Sequence, residues 1–405
     1  MYAPLSGKRI LLGVTGSIAC YKAVELASLL TQLGGEVDAV LTSAATRFLS
    51  PLTFQSVTGR RAYTGEDLWG PQGHVLHVQL GKEADLIAMV PATASSIAKI
   101  SHGTADNLLT LSILASSAHL LVAPAMDAGM FDNPSTQTNL EVLEKRGASI
   151  VGPVSGHLAS GLKGLGRMVE PQELAGHIRV LLGRSGPLRG RRVLVTAGGT
   201  QEAIDPVRVI TNRSSGKQGY ALAQVALDMG AAVTLISGPA ILPAPVGAKV
   251  VILTTAKDML AAVLNEVPGQ DALLMAAAVG DYHPVASAGR KIKRSGERIT
   301  IELAENPDIL LNVSEHAEKL PMMVGFAAES EDLIKNAEAK LKGKHLDLIV
   351  ANDISSESSG FEVDTNRVVI LDKDGGRQES PLTTKTEVAK LVLDRVVERL
   401  KKRPR

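Results

Sequence analysis

The sequence is poor in cysteine and in aromatic residues. Its one cysteine, Cys20, cannot form an internal disulfide or a thiolate metal site, which is typical of a protein kept in a reducing compartment. Aromatic residues make up only 3% of the chain, against 45% for all hydrophobic residues. The core must therefore be built mainly from Ala, Val, Leu and Ile, as in ordinary globular proteins.

A large net charge and a long apolar run are missing as well. The 43 basic and 42 acidic residues leave a formal net charge of +1, so overall electrostatics give no reason to expect a nucleic acid partner. No apolar run approaches the roughly 20 residues of a membrane-spanning helix, and residues 1–7 lack the apolar core of a signal peptide. We expect a cytoplasmic protein that binds neither nucleic acid nor membrane.

What the chain does contain is a regular alternation of β-branched runs and amphipathic stretches. Residues 8–12 predict a strand that leads through a glycine turn into a helix over residues 18–33. This alternation is typical of βαβ units and of a parallel sheet. Further strands are predicted in the first half at residues 37–41, 85–90 and 119–123, and in the second half at residues 191–196, 235–236, 273–276, 323–325 and 348–351.

The length favours two such α/β domains, because 405 residues are roughly two to three times the usual domain size. The polar, glycine-rich segment 183–190 has no periodicity and is predicted to be a linker. We therefore predict domains over residues 1–190 and 191–405. A helix is predicted over residues 387–400, and the basic residues 401–405 that follow it are interpreted as a solvated helix end favoured by the macrodipole.

Two segments of the second half are suited to an anion. The turn at residues 196–200 follows a strand, where glycines let backbone N–H groups approach a phosphate. Residues 211–219 bring serines, glycines and Lys217 to the start of a predicted helix, where positive potential accumulates. An ordinary helix N-cap explains the same residues equally well. On their own, Lys291 to Arg294 would more often form a solvated loop than a binding site. Lys340, Lys342 and Lys344 have the same ambiguity, because lysines on an exposed helix face need no ligand.

Taken in order, the motifs of the second half resemble the phosphopantothenate–cysteine ligase half of the bifunctional enzymes of coenzyme A biosynthesis. This many ordered motifs over about 200 residues is specific evidence. The resemblance rests on the run from Thr196 to Gly219, with Ile204 to Arg208 inside it, and on Ala276 to Tyr282, Lys291 to Lys293, Asn306 to Asp308, Gly325 to Glu329 and Ala351 to Asp353.

That resemblance implies a ligation that depends on CTP. The carboxylate of 4′-phosphopantothenate attacks the α-phosphate of CTP, pyrophosphate leaves, and the amine of cysteine then displaces CMP from the acyl-cytidylate. Lys291 is expected to clamp the charge of the triphosphate, Mg²⁺ to arrive with the nucleotide, and Asn212 to hold the acyl-cytidylate. The residues expected around CTP are Met275, Ala276, Ala277, Asp281, Pro307, Asp308, Ile309, Leu310, Phe326, Lys340 and Lys344.

Four segments of the first half carry a second resemblance: Gly16 to Lys22, Thr42 to Ala45, Pro91 to Ser95 and Ala123 to Met126. They resemble the FMN-binding segments of the FMN-dependent phosphopantothenoylcysteine decarboxylase that the same family carries at its N-terminus. The family therefore implies a flavodoxin-like or Rossmann-like flavoprotein sheet followed by a Rossmann-like parallel sheet with the ligase. Cys20 is expected to be a small core residue and not a nucleophile. The residues expected to bind FMN are Gly16, Ser17, Ile18, Ser43, Pro91, Ala92, Thr93, Ser95 and Met126.

His77 is the candidate catalytic residue of this half. A metal site with His74 is improbable because no third ligand pattern is nearby, and a polar residue at a strand end is the plainer interpretation of His77. The resemblance instead matches His77, in the run His77-Val78-Gln79-Leu80, to the catalytic histidine of the family. It would take a proton from the substrate thiol as hydride leaves the adjacent carbon for the flavin.

Two positions depart from the family pattern. The chain has Ala159-Ser160-Gly161 where the family commonly has Ala-Cys-Gly with the cysteine as proton donor, and a hydroxyl is far less acidic than a thiol. It has Asp127 after Pro-Ala-Met where the family often has asparagine, and an ionised Asp127 would repel the substrate carboxylate unless it is protonated or turned away. Either Ser160 passes on a proton from water or His157, or another donor serves, or this half is slow or inactive.

Two rival functions remain open from the sequence. An NAD(P)-dependent reductase with tandem nucleotide domains predicts a Gly-x-Gly-x-x-Gly after the first strand, which neither half supplies. A ligase whose flavoprotein half is only an assembly scaffold predicts a colourless protein with full ligation. By analogy with the family we expect a homo-oligomer, with trimeric contacts in the flavoprotein half and dimeric contacts in the ligase half.

Overall fold

The chain forms two compact units. In the computed structural model, which describes residues 2–70, 75–294, 296, 298–329, 331–353 and 363–403, one unit spans residues 3–182 and the other runs from residue 183 onward together with Tyr2. The sequence predicts the boundary between residues 190 and 191. Over the described ranges, no helix combines the length and the apolarity needed to cross a bilayer.

The first unit is built on a six-stranded parallel sheet in which β1 and β4 lie side by side at the centre. The strand order is β3-β2-β1-β4-β5-β6. Of the flavodoxin-like and Rossmann-like orders expected for this half, this is the Rossmann-like one. Its central strands are almost wholly buried apolar runs because helices cover both faces. The strands are β1 (Arg9–Val14), β2 (Glu36–Leu41), β3 (Ala62–Tyr63), β4 (Leu86–Ala92), β5 (His119–Pro124) and β6 (Ser149–Ile150), with a separate antiparallel hairpin of β7 (Val154–His157) and β8 (Lys163–Arg167).

Helices follow the strands of the first unit in the predicted rhythm. The helix predicted over residues 18–33 is α1, and Cys20 is its fully buried first residue, as expected for a core position. The helices are α1 (Cys20–Gln32), α2 (Pro51–Thr58), α3 (Leu76–Glu83), α4 (Ala94–His102), α5 (Leu108–Leu114), α6 (Ala128–Phe131), α7 (Pro134–Lys145) and α8 (Pro171–Gly183). Short 3₁₀ turns occupy Ala45–Arg47 and Gly65–Trp69.

The second unit repeats the same topology and extends it. Its strands are β9 (Arg192–Ala197), β10 (Gln201–Ala203), β11 (Val209–Thr211), β12 (Ala232–Ser237), β13 (Lys249–Ile252), β14 (Ala272–Met275), β15 (Tyr282–Pro284), β16 (Leu303–Glu305), β17 (Met322–Glu329), β18 (Leu348–Asp353), β19 (Thr365–Asn366), β20 (Val368–Asp372), β21 (Arg377–Glu379) and β22 (Thr383–Thr384). The main sheet runs β13-β12-β9-β14-β17-β18-β20-β21. Its first six strands are parallel, and β20 and β21 add an antiparallel edge that the sequence does not predict.

Helices and small hairpins complete the second unit. The pairs β10–β11 and β15–β16 are antiparallel hairpins outside the main sheet. Its helices are α9 (Lys217–Asp228), α10 (Ala256–Glu266), α11 (Ile309–His316), α12 (Leu333–Gly343) and α13 (Lys385–Lys402). The segment 183–190, predicted as a linker, packs within this unit: Leu188 is buried, and its N–H donates to the Met229 carbonyl at 2.8 Å.

Candidate functional site

The second unit contains a cavity of about 600 Å³ at the carboxyl ends of its central strands. In an open α/β sheet this crevice lies where the strand order reverses, here between β9 and β14. The turn before α9, the loops after β14 and β16, and the ends of α12 and α13 form its walls. Twelve of the expected residues line it: Asn212, Met275, Ala276, Ala277, Asp281, Pro307, Asp308, Ile309, Leu310, Phe326, Lys340 and Lys344.

Asn212 lies where β11 gives way to the turn before α9. Its side-chain amide donates to the Val279 carbonyl at 2.9 Å and lies 3.4 Å from that of Ala278. These bonds tie the turn before α9 to the loop that follows β14. Asn212 is therefore held against a cavity wall with its side chain oriented by backbone groups.

The turn from Ser214 to Gly216 leads directly into α9. Gly216 caps the helix with φ +76°, a left-handed conformation that favours glycine. Ser214, Ser215 and Gly216 all line the cavity, and so does Lys217, the first residue of the helix. The partial positive charge of the helix N-terminus therefore lies at the cavity here.

On the opposite wall, Asp308 and Lys344 form an ion pair at 2.7 Å. Asp308 also caps α11, because its carboxylate accepts the Leu311 N–H at 3.1 Å. Lys344 follows the last residue of α12, where a cation interacts favourably with the helix dipole. The structure thus brings two of the predicted CTP residues into contact.

Lys291 departs from its expected place. It is exposed, it lies in the loop between β15 and β16, and it is absent from the described residues that line the cavity. The next residue explains its position, since the Ile292 N–H donates to the Asp205 carboxylate at 3.2 Å and the Ile292 carbonyl accepts from Arg208 at 3.2 Å. This loop is held on the turn at residues 204–208, so the structure does not bring Lys291 together with the other predicted residues.

Lys385 is a cavity residue that the sequence interpretation missed. It is the first residue of α13, only 7% exposed, and it lines the cavity. Burial, together with the charge of Lys217, lowers the pKa of Lys385 to about 8. The sequence predicts this helix only from residue 387, so Lys385 lies before its predicted start.

In the first unit, the loops expected to bind a flavin meet at the carboxyl ends of β1 and β4. The Thr15 hydroxyl donates to the Pro91 carbonyl at 2.7 Å and accepts the Thr93 N–H at 3.0 Å. Thr93 in turn caps α4. Gly16 packs so closely on Ala44 that a Cβ at residue 16 would clash with it. Two further candidates, Ser43 and Ser95, are exposed beside these loops, while Ser17 is half-buried and Ile18 is exposed.

His77 is the second residue of α3 and is half-buried. Its Nδ1 atom is fully buried and has no hydrogen-bond partner within the described ranges. An imidazole nitrogen in that position is available for a ligand or substrate. His74, the other histidine considered, lies outside the described residues. No group of three or more acidic, histidine or cysteine side chains suited to a metal occurs in the part of the chain that the structure describes.

Ser160 and Asp127, the two residues that depart from the family pattern, are in contact. The Ser160 hydroxyl donates to the Asp127 carboxylate at 2.6 Å, and Asp127 also accepts the Gly129 N–H at 3.1 Å as the cap of α6. These bonds, first that of Ser160, lower the pKa of Asp127. The hairpin of β7 and β8 lies on this segment, since the Met126 N–H donates to the Gly166 carbonyl at 3.0 Å.

The first unit has features that fit a flavin. The loops after β1, β4 and β5 converge at one edge of the sheet, Thr93 begins a helix whose N–H groups can bind a phosphate, and Met126 lies beneath the glycine-rich hairpin. The buried His77 nitrogen without a partner adds a polar group that a bound molecule can satisfy. The residues present therefore fit the cofactor that the resemblance implies.

Two family models match successive parts of the chain. Residues 2–183 match the Flavoprotein family model, and residues 188–400 match the model of the DNA/pantothenate metabolism flavoprotein C-terminal domain. The coenzyme A biosynthesis bifunctional protein CoaBC of Vibrio cholerae is 44% identical over 400 residues, which cover 98% of this chain and 99% of that protein. The CoaBC protein of Bacillus subtilis is 41% identical over 395 residues, covering 97% of each chain.

The chain belongs to the CoaBC family. A solved structure of the C-terminal domain of a CoaBC protein is 40% identical, covers 54% of this chain and 100% of that domain, and superposes with a TM-score of 0.47. The function predicted from the sequence is confirmed by the family: this CoaBC protein is a bifunctional enzyme of coenzyme A biosynthesis with ligase and decarboxylase activities. Its first half is a flavoprotein domain.

Proposed function

We propose that the second unit activates 4′-phosphopantothenate with CTP and joins it to cysteine in the cavity described above. One observation carries this proposal: Asn212 and eleven of the residues expected around CTP, though not Lys291, line one cavity. A carboxylate oxygen of the acid forms a bond to the α-phosphorus, and the bond to the β-phosphate oxygen breaks so that pyrophosphate leaves with the electron pair. The amine of cysteine then attacks the acyl carbon and releases CMP.

The two walls of the cavity suit the two parts of the nucleotide. Phe326 and the buried ends of β14 and α11 offer an apolar surface for a base, with Lys340 and the Lys344–Asp308 pair beside it. The turn from Ser214 to Gly216 offers N–H groups to phosphate oxygens. Asn212, oriented by the loop after β14, lies between these regions and is suited to hold the acyl-cytidylate for amine attack.

In this proposal Lys291 binds the triphosphate, although it does not line the cavity in the structure. The loop that carries it begins at β15, whose residue Tyr282 lines the cavity, and it is tied down through Ile292. The proposal requires this loop to move toward the cavity so that the ammonium group reaches phosphate oxygens of the bound nucleotide. Mg²⁺ is expected to arrive with the phosphates of the nucleotide.

For the first unit, we propose FMN-dependent decarboxylation of the ligation product to 4′-phosphopantetheine. Gly16, Ser17, Ile18, Ser43, Ser95 and Met126 would hold FMN, with Pro91, Ala92 and Thr93 at the start of α4. FMN, when bound, supplies the acceptor and later the donor of a hydride. The half-buried His77 takes the proton of the substrate thiol through its imidazole.

The hairpin of β7 and β8 has a separate part in this proposal. It lies over Met126 and Asp127 and would exclude water from the substrate. Ser160, on the connection between its strands, relays the proton that completes the product, with water or His157 as the source.

We also propose that the enzyme works in the cytoplasm as a homo-oligomer. Apolar side chains at the flavin edge of the first unit, including Ile18, Tyr21 and Leu52, are each at least 60% exposed. Such a group of exposed apolar residues is typical of an association surface. The expected trimeric and dimeric contacts would be measured by light scattering on the full chain.

The test supplies the acid, cysteine, CTP and Mg²⁺ to purified protein and follows each intermediate by mass spectrometry. Lys291→Ala is expected to abolish pyrophosphate release, whereas Lys293→Ala, an equally exposed lysine in the same loop, should leave it intact. Unchanged release by Lys291→Ala would remove that residue from its role. Colourless protein with full ligation would favour the scaffold alternative, and NADPH oxidation would favour the reductase.

A further inference from the structure

The base of the β15–β16 hairpin lies at the cavity of the second unit. Asp281 directly precedes β15 and Asn306 directly follows β16, and both residues line the cavity. The hairpin itself begins with the pair of Tyr282 and Glu305. Since Asp281 is one of the residues expected around CTP, the contacts that fix the base of the hairpin also fix Asp281.

Asn306 closes this base with two hydrogen bonds. Its side-chain amide donates to the Gly280 carbonyl at 2.8 Å, and its backbone N–H donates to the Asp281 carbonyl at 2.8 Å. Because the partner of the side chain is a carbonyl oxygen, the contact needs a donor, which neither a carboxylate nor an apolar side chain supplies. The two bonds engage only the backbone of Asp281, so its carboxylate remains available to a ligand.

The usual structural explanation for an asparagine before a helix does not apply to Asn306. Such a residue commonly caps the helix. Here it is Asp308 that caps α11, because its carboxylate accepts the Leu311 N–H at 3.1 Å. The Asn306 side chain is bonded to the base of the hairpin instead. Its residue type is therefore explained by the segment that it holds and not by the helix that follows.

A second residue holds the same segment from a different part of the chain. Thr200 is fully buried, and its hydroxyl accepts the Gly280 N–H at 2.8 Å. The N–H and the carbonyl of Gly280 are thus both bonded, one to Thr200 and the other to Asn306. Both peptide groups of Gly280 are fixed immediately before Asp281.

The position of Asp281 matters because its charge lies at a cavity proposed to bind a polyanion. A carboxylate repels phosphate oxygens at short range, so it must be directed at donor groups of the ligand. A displacement of about 1 Å in a positioned group can lower a reaction rate about 100-fold. Hydrogen bonds that hold the backbone of Asp281 therefore have a direct consequence for the chemistry.

We propose that Asn306 is a positioning residue of the ligase half. Its side-chain amide holds the Gly280–Asp281 segment and thereby sets where the Asp281 carboxylate meets the bound nucleotide. This inference rests on the proposed function, because that function brings CTP to the cavity. It adds a residue that acts through Asp281.

The experiment is a double-mutant cycle on the full-length protein. The four proteins are the wild type, Asn306→Ala, Asp281→Ala and the double variant, and pyrophosphate release from CTP in the presence of 4′-phosphopantothenate gives kcat and KM for each. Asn265→Ala, at an exposed asparagine near the end of α10, is the matched control. Calorimetric titration with CTP gives the same cycle for binding, so a protein whose release is too slow to measure still completes the cycle.

Asn306→Ala is expected to lower kcat/KM for pyrophosphate release roughly 10- to 100-fold, because Asp281 loses its fixed position. In the Asp281→Ala background, the same substitution should lower kcat/KM by less than about threefold, since the carboxylate that it positions is already gone. A merely structural role would produce the same loss in both backgrounds. Asn265→Ala should leave both constants unchanged.

Equal losses in the two backgrounds would show that the inference is wrong. An Asp281→Ala protein as active as the wild type would overturn it too, because no carboxylate would then need to be positioned. Both results leave the proposed function intact as long as the wild type releases pyrophosphate from CTP. A wild type that releases none contradicts the proposed function itself.

Thr200→Val tests the same path through the other bond of Gly280. Valine keeps the shape of threonine but cannot accept the Gly280 N–H. Its effect on pyrophosphate release should also be largely lost in the Asp281→Ala background, and a full effect there would exclude the Gly280–Asp281 segment as the path. Thermal unfolding checks that each variant is folded, and Thr200→Val takes the place of Asn306→Ala in the cycle if the latter does not fold.

Discussion

The Ser160 hydroxyl donates a hydrogen bond of 2.6 Å to the carboxylate of Asp127. These are the two positions at which the chain departs from its family pattern, so the departures form one contacting pair. The bond lowers the pKa of Asp127, which keeps the carboxylate ionised rather than protonated. Of the two ways to reconcile Asp127 with a substrate carboxylate, the structure supports the one in which its charge is directed to Ser160.

Replacing Ser160 should therefore change the last step of decarboxylation. We expect Ser160→Ala to slow protonation so that the enethiol intermediate accumulates, because the hydroxyl relay is gone. Ser160→Cys should accumulate less intermediate than the wild type, since a thiol is the more acidic donor. Quenched-flow mass spectrometry of the enethiol and the final product measures both effects. Equal intermediate levels in all three proteins would exclude Ser160 from the proton path.

Ser160→Ala also tests whether the Ser160 hydroxyl lowers the pKa of Asp127. A carboxyl group whose pKa is lowered in the folded state contributes stability that is present above its unfolded pKa and is lost as the pH falls through the folded value. Without the Ser160 hydroxyl, the pKa of Asp127 should rise toward its ordinary range, so the pH-dependent stability that this group contributes should shrink. Carbon NMR of labelled aspartate, with Asp127→Asn to assign the signal, measures the shift directly.

His77 should be required for chemistry and not for flavin retention. His77→Asn keeps a polar side chain of similar size but cannot take up the thiol proton, so release of CO₂ should stop while the yellow colour remains. The measurement pairs CO₂ release with the flavin absorbance of the same sample. His102→Asn, at the exposed end of α4, serves as the matched control. A decarboxylating His77→Asn protein would restore the plainer structural interpretation.

Much of this site could be predicted because a parallel sheet orders its loops. Met275 ends β14 and pairs with Gly325 of the neighbouring parallel strand β17, so Phe326 and the residues that follow β14 must lie at one edge of the sheet. Asn212 could not be placed in this way, because it follows β11, a hairpin strand outside the main sheet. Lys291 could not be placed that way, because a hairpin carries it and contacts with Asp205 and Arg208 decide where the loop lies. Lys385 has no sequence signature, since its burial arises only when α13 packs on α9.

Replacing Asn212 should uncouple the activation of the acid from the formation of the amide. Asn212→Asp retains the size of the side chain but replaces the amide donor that contacts the Val279 carbonyl by a carboxylate. Like charge near the acyl-cytidylate phosphate should slow amine attack more than activation, so CTP consumption should exceed amide formation. Parallel assays of pyrophosphate and phosphopantothenoylcysteine give the ratio. A ratio of one at reduced overall rate would show only a structural effect.

The junction of α9 with β9 should tolerate no added methyl group. A Cβ at Gly219 would lie 2.5 Å from the Ala197 Cβ and 2.7 Å from the Thr196 carbonyl oxygen. Gly219→Ala should therefore lower the free energy of unfolding by about 1–3 kcal/mol and weaken ligation, because it displaces the start of α9. Gly343→Ala is the control, since nothing lies within 4 Å of the added Cβ. Chemical denaturation measures the free energy of unfolding of both variants, and an unchanged flavin signal shows that the first unit remains folded.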